Sequence, residues 1–169
     1  RRPAPTNSKA LTRIEEVSVI EGVIVTALEP KADERGRLVE LFRHDQPGTS
    51  RYGQVNLTTL YPGVVKAWHM HKKRTDTFVC VHGMVRMGLY DDREGSKSQS
   101  ELNQFFLGDH SPLRITVPPG VWFGFKALGS VEAHLVVLTD PAHDSKWPDE
   151  ERWDPVINEI PFDWERRDR

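Results

Sequence analysis

Sulfur and unbalanced charge are what this 169-residue chain has least of. It holds one cysteine, Cys80, so no disulfide forms within the chain and a disulfide-framework fold is excluded. Cys80 lies in the apolar run TFVCV, where a small buried hydrophobe is the expected role. Lysine and arginine number 23 against 25 aspartates and glutamates, a formal net charge of -2. That balance provides no global basic field to gather nucleic acid or an acidic membrane, so an anionic ligand has to be held by local cations. No apolar run approaches a membrane span, and the opening RRPAPTNSKA is not followed by an apolar stretch of signal-peptide length. The expected setting is the cytoplasm, with neither membrane nor nucleic acid as partner. Also missing are an internal repeat, a low-complexity tract and any long segment with a sustained 3.6-residue period.

What is present is a series of short apolar runs rich in Val, Phe and Leu. They fall at residues 17–28, 37–43, 53–61, 64–71, 76–82, 84–91, 101–107, 113–117, 121–125 and 132–139. The segments between them, DERG, QPGTS, YPG, HG, DDREGSKS, GDHSP and PPG, carry the Gly, Pro, Asp and Ser of turns. This pattern predicts an all-β protein. About ten short strands in one domain have to close or stack to hide their edges, which points to a barrel or jelly roll. Residues 1–16 read as an N-terminal extension with a helical turn near LTRIEE, residues 17–164 as one domain including its tail, and residues 165–169 as a charged end. The tail is polar and Pro-rich but carries Trp147, Trp153 and Trp164, so it is expected to pack on the barrel.

The stretch GVVKAWHMHKKRTDTFVCVHG, residues 63–83, concentrates the chemistry. Strand alternation puts His69, His71 and Ala67 on one face and Lys66, Trp68 and Met70 on the other. A hairpin return brings Asp76 toward the same pocket. The order of Gly, His-x-His, acid and Gly resembles the first conserved motif of the cupin superfamily, and two imidazoles with a carboxylate suit a first-row transition metal. The second cupin motif places a further histidine after a Pro-x-Gly turn; here the turn is PPGVWFGF and the position is Phe123, which ligates nothing. Three readings stay open on the residues: a three-ligand metal site, an interior histidine pair satisfied by hydrogen bonds, and acid–base chemistry without metal, which leads.

Further segments carry a resemblance. DERGRLVELF, QVNLT, PGVVKAWHMH, PPGVWFGF and RWDPVINEIPFDW follow in order over residues 20–164 and together resemble the dTDP-4-dehydrorhamnose 3,5-epimerase family of cupins. The resemblance implies a cupin-type jelly-roll barrel with a packed C-terminal tail, usually a homodimer, that binds a dTDP-linked 4-keto-6-deoxyhexose with no metal or cofactor. It implies that His69 is the catalytic base, that Asp154 of RWDP orients it, and that Arg35 contacts the diphosphate beside Gln54, Asn56 and Glu40. Lys66 stands where the family usually has arginine, keeping the charge without the planar fork. His71 is a second candidate for catalysis. The substrate's ketone acidifies the protons on carbons 3 and 5, so a placed base removes one while a donor steadies the enolate.

The family pattern is broken at three positions. Its lysine falls near Asp76, its proton-returning tyrosine near Val137, and its Pro-x-Gly histidine at Phe123. The H-x-H pair followed by Lys72 also resembles the related 3,4-ketoisomerases, in which His69 and His71 would share the work. A metal-dependent cupin enzyme and a sugar-nucleotide-binding protein without catalysis are the remaining alternatives.

Overall fold

The structure, a computed structural model, describes residues 19–47 and 52–166. The extension at residues 1–16, with its expected turn near LTRIEE, lies outside the described residues. All regular structure among the described residues is strand: β1 (Ile24–Ala27), β2 (Lys31–Asp33), β3 (Gly36–Leu38), β4 (Gln54–Leu60), β5 (Val65–His71), β6 (Thr75–His82), β7 (Met84–Asp91), β8 (Leu102–Gly108), β9 (Leu113–Val117), β10 (Val121–Leu128), β11 (Ala133–Asp140) and β12 (Glu150–Arg152). Two five-stranded antiparallel sheets stack as a jelly roll, in the orders β1-β9-β6-β11-β4 and β12-β5-β10-β7-β8, beside a small β2-β3 hairpin. Stacking the sheets buries one face of each, which is how so many short strands become stable together.

Alternation along the strands fills the space between the sheets. Phe78, Cys80, Ile115, Val117, Leu135 and Val137 of the first sheet meet Val85, Met87, Leu89, Val121, Phe123 and Phe125 of the second. Cys80 is a core residue, and burial pushes its thiol up to about 11. Toward one end the inner face turns polar: Gln54, Thr139 and Asp76 follow one another across β4, β11 and β6 in register.

Two of the predicted strands are shorter than their apolar runs. The run at 17–28 yields only Ile24–Ala27, and that at 37–43 only Gly36–Leu38. DERG instead closes the β2-β3 hairpin: Asp33 Oδ1 accepts a hydrogen bond from the Arg35 amide, and Gly36 adopts a φ of 136°, which a side chain would resist.

The tail forms an additional strand and then a cover. β12 pairs with β5, and Trp68 and Trp153 exchange backbone hydrogen bonds. Trp68, Trp122, Ile160 and Trp164 then form a second buried cluster on the outer face of that sheet, with Trp153 stacked on Trp122. Glycines make the room. A Cβ on Gly88 would lie 2.8 Å from the Trp68 ring and 3.1 Å from that of Phe162; one on Gly124 would lie 2.4 Å from the Ala67 Cβ and 3.0 Å from the Trp164 ring. Trp147 departs from the expectation for the three tail tryptophans and is 80% exposed.

Gly124 also marks a bulge that corrects the expected facing of β5. Phe123 pairs with His69, but Phe125 pairs with Lys66, so Ala67 and Trp68 together oppose Gly124 alone. Strict alternation would turn Lys66 away from His69. The extra residue brings Lys66 back to the inner face and leaves Ala67 with Trp68 on the outer one.

Candidate active site

His69 and His71 both point between the sheets from the end of β5, above the ring of Phe123, whose centroid lies 5.8 Å from that of His69 and 5.5 Å from that of His71. Phe123, at the position where the second cupin motif places a histidine, thus supplies an apolar floor, and it packs on Phe78 behind it.

The two histidines have different partners. His69 Nδ1 is 2.7 Å from Oε1 of Glu150, the first residue of β12. A carboxylate accepts, so Nδ1 carries the hydrogen and Nε2 keeps its lone pair. Burial pushes the His69 pKa below its usual value, and the Glu150 hydrogen bond opposes this without cancelling it. Burial also pushes Glu150 up, but hydrogen bonds from Arg152 and His69 outweigh it and hold the carboxyl below its usual range. Arg152 Nη2 donates to the other oxygen, Oε2, at 2.7 Å. The arrangement is a half-buried imidazole with a fixed tautomer, a carboxylate behind it and a free nitrogen in front.

His71 is almost closed off, its side chain 8% exposed. Nδ1 pairs with Asp76 Oδ2, and Arg74 Nη2 lies 2.5 Å from Nε2. Asp76 therefore does join the histidine stretch, as the sequence suggested, but through one histidine and not as the third member of a shared ligand set. Among the described residues no three His, Cys, Asp or Glu side chains gather as a group that could hold a metal ion.

The pairing of His69 with Asp154 is not formed. Asp154 is exposed, and its Oδ1 accepts the amides of Val156 and Ile157 at 2.8 Å each, closing the turn that follows β12. An aspartate ahead of a proline readily makes such a side-chain turn. The carboxylate at His69 comes from four residues earlier. In sequence Glu150 is hidden in WPDEERWD, where proline and dense charge mask a three-residue strand. The two-residue spacing of Glu150 and Arg152 is the one signal that could have found it, since β12 turns both toward the histidines opposite His71 and His69.

The expected nucleotide-side residues divide into two groups. Gln54, Asn56 and Thr58 share the inner face of β4, with Gln54 Nε2 donating to Asn56 Oδ1 at 2.8 Å. Lys66 reaches across from β5 and donates to Thr58 Oγ1 at 3.0 Å and to the Thr59 carbonyl at 2.8 Å, so it bridges the two sheets beside His69. Arg35 and Glu40 lie elsewhere. Arg35 turns back on Asp33 within the hairpin, and Glu40 pairs with Arg43 at 3.6 Å. The hairpin is fixed through Arg37 to the Val81 carbonyl and Asp109. Val81 is five residues along β6 from Asp76, about 16 Å at strand rise. Two further concavities avoid the histidines as well: one of about 240 Å³ beneath the hairpin, and a groove of about 1080 Å³ between the outer sheet face and the tail.

Val137, near which the family tyrosine falls, is a core residue on β11. Among the described residues no helix is long and apolar enough to cross a membrane.

Comparison with known proteins agrees with this architecture. The chain is 41% identical over 151 residues to a probable low-salt glycan biosynthesis epimerase of Haloferax volcanii, covering 85% of this chain and 89% of the relative. A dTDP sugar isomerase from Desulfovibrio desulfuricans G20 superposes with a TM-score of 0.80 at 32% identity, over 86% of this chain and 92% of the other. A 4-keto-6-deoxy sugar epimerase of Streptomyces spheroides gives a TM-score of 0.76 at 29% identity, over 86% and 75%. The family model for dTDP-4-dehydrorhamnose 3,5-epimerase matches residues 18–168. With its jelly roll, inward histidines and packed tail, the chain is an isomerase of the carbohydrate-epimerase type and belongs to the dTDP-4-dehydrorhamnose 3,5-epimerase family.

Proposed function

We propose that this protein epimerises a dTDP-linked 4-keto-6-deoxyhexose at a carbon next to the ketone, carbon 3 and/or carbon 5, with His69 as the base. The observation that carries this reading is the His69–Glu150 pair: one ring nitrogen held by a carboxylate, the other bearing a lone pair over an apolar floor. Burial lowers the His69 pKa, which favours the neutral base near pH 7. As it takes the carbon-bound proton, the imidazolium that forms is stabilised by Glu150, the role that family resemblance assigned to Asp154.

Lys66, Asn56 and Gln54 hold the nucleotide end in this reading, with Lys66 kept at the mouth by its bonds to β4. Arg35 and Glu40 take part only if a second copy brings them to the site, as a homodimer would. Val55 and Leu57, 54% and 66% exposed on the outer face of β4, offer apolar surface for it. In this reading the reaction runs in the cytoplasm without metal or cofactor; against His71 as a metal ligand stands its engagement by Asp76 and Arg74, which occupies both ring nitrogens.

A second reading, 3,4-ketoisomerisation, is favoured by one observation. The wall near which the family's acid falls carries Val137, so a proton taken from carbon 3 is delivered from the same face to carbon 4 of the enediol, while the O3 hydroxyl proton passes to O4 and leaves a 3-ketone. One experiment separates the two. The chelator-treated protein is incubated in heavy water with dTDP-4-keto-6-deoxyglucose, and the sugar protons are followed by NMR. Exchange at carbon 3 or 5 that disappears in His69→Asn is the expected result and names the carbon. A 3-keto product moves the assignment to ketoisomerase, and exchange only after a divalent metal is restored overturns the metal-free mechanism.

A further inference from the structure

The cleft that holds His69 opens between two edge strands, β4 of one sheet and β12 of the other, on the side where Lys66 reaches across. The acceptors on its rim are already engaged. The His143 amide donates to Gln54 Oε1 at 3.0 Å and Gln54 Nε2 donates to Asn56 Oδ1, a chain that orients both side-chain amides and leaves Asn56 Nδ2 over. Thr58 Oγ1 and the Thr59 carbonyl accept from Lys66, and the two oxygens of Glu150 accept from His69 and Arg152. What remains is donors: Asn56 Nδ2, one N–H of Lys66 and most of the Arg152 guanidinium.

Arg152 is the least committed of them. It stands opposite His69 in the β12-β5 register with its side chain 70% exposed, and among the contacts of the described residues only its Nη2 is engaged, by Glu150 Oε2 at 2.7 Å. One full edge of the guanidinium therefore stays open. Lys66 lies three residues from His69 along β5, within about 10 Å at strand rise, so two long cationic side chains flank one stretch of the mouth.

We propose that Arg152 is a ligand of the substrate's diphosphate, closing on it together with Lys66 in the place that family resemblance gave to Arg35. The inference rests on the reading of this cleft as a dTDP-sugar site. A diphosphate at neutral pH offers negative charge and acceptor oxygens, which is what a rim of leftover donors fits. The planar guanidinium can give a phosphate two parallel N–H bonds, which the ammonium of Lys66 cannot. The bond to Glu150 helps in two ways: it holds a long side chain at the cleft, and it screens the phosphates from the carboxylate behind. Arg35, by contrast, has both Nε and Nη2 turned onto Asp33.

An arginine that only secured Glu150 would leave phosphate binding alone. Calorimetry with dTDP and ligand-observed NMR with thymidine separate the phosphates from the nucleoside without requiring turnover. The native protein is expected to bind dTDP far more tightly than thymidine. In Arg152→Gln the dTDP affinity falls about tenfold to a hundredfold, the range for losing a hydrogen bond to a charged group, while thymidine binds within about twofold of native. Arg152→Lys keeps the charge without the fork and recovers part of the loss. Glu150→Gln, which keeps the guanidinium, does not share it.

Unchanged dTDP affinity in Arg152→Gln overturns the proposal. So does an equal loss of both ligands, or an equal loss of dTDP in Glu150→Gln, because either would make Arg152 a brace for the site. A phosphate-dependent loss in Arg35→Gln with Arg152→Gln silent returns the role to Arg35 and overturns it as well. A native protein that binds neither ligand strikes the dTDP-sugar reading itself, whereas dTDP binding that survives Arg152→Gln strikes this inference alone.

Discussion

The two faces of β5 serve opposite ends with alternate residues of one strand. Inward, His69 and His71 meet carboxylates, an arginine and the ring of Phe123. Outward, Trp68 is wholly buried against Trp122, Ile160 and Trp164, in space left by Gly88 and Gly124. The inner face holds a few polar groups in fixed directions, while the outer holds a broad apolar contact that fastens the tail. The faces are coupled because the tail has both jobs: its aromatic residues cover Trp68, and its strand β12 supplies Glu150 to His69. The site is therefore complete only with the tail seated on the sheet, and damage to the outer face is expected to reach the chemistry.

The most severe lesion lies on the inner face. His69→Asn removes the proposed base and is expected to lower kcat about a hundredfold to ten-thousandfold, with dTDP binding measured by calorimetry unchanged. Retained turnover would move the base elsewhere. Next comes a lesion confined to the outer face. Gly124→Ala places a methyl against Ala67 and Trp164 and is expected to cost about 1–3 kcal/mol in denaturant unfolding. If the faces are coupled, the folded variant also loses activity, since β12 is displaced from β5. Full activity in a destabilised Gly124→Ala protein would separate the two faces.

Glu150→Gln sharpens the comparison at the point where tail and site join. The substitution keeps the shape but removes the charge, and kcat is expected to fall about tenfold. The sign of the pH effect follows from the forces on His69. Burial lowers its pKa and Glu150 raises it, so without the carboxylate the pKa falls further and the acid limb of kcat/KM moves to lower pH. A limb that stays in place would mean that Glu150 does not sense the charge of His69.

The sequence made the outline of this comparison readable and left its joints obscure. Period-two alternation and turn residues announced the strands, and H-x-H on one strand announced two inward imidazoles, because side-chain direction in a strand is local. The facing of Lys66 was not local: it depends on a bulge admitted by Gly124 on the neighbouring strand, and no pattern within β5 reveals it. The same holds for the orienting carboxylate. Asp154 and Glu150 both lie in one acidic stretch, and which of them meets His69 is set by the register of a three-residue strand against β5. Arg74 was hidden in the basic run KKR, which reads as solvated charge until Asp149 and His71 are seen to bury one member of it.

The smallest expected effect therefore discriminates best between family pattern and observed contact. In Asp154→Asn the side-chain carbonyl keeps both hydrogen bonds from the Val156 and Ile157 amides, so the turn after β12 survives and only the negative charge is lost. If Asp154 oriented His69, that loss would cost orders of magnitude in rate, as it does when a histidine's carboxylate partner is neutralised in a catalytic triad. With Glu150 in the orienting position, kcat/KM of Asp154→Asn stays within about twofold of the native value, the range of an exposed substitution. The comparison should be made in parallel with Glu150→Gln at several pH values. A large loss in Asp154→Asn with Glu150→Gln nearly silent would mean that substrate binding draws the turn inward and exchanges one carboxylate for the other; the opposite outcome assigns the base's partner to β12.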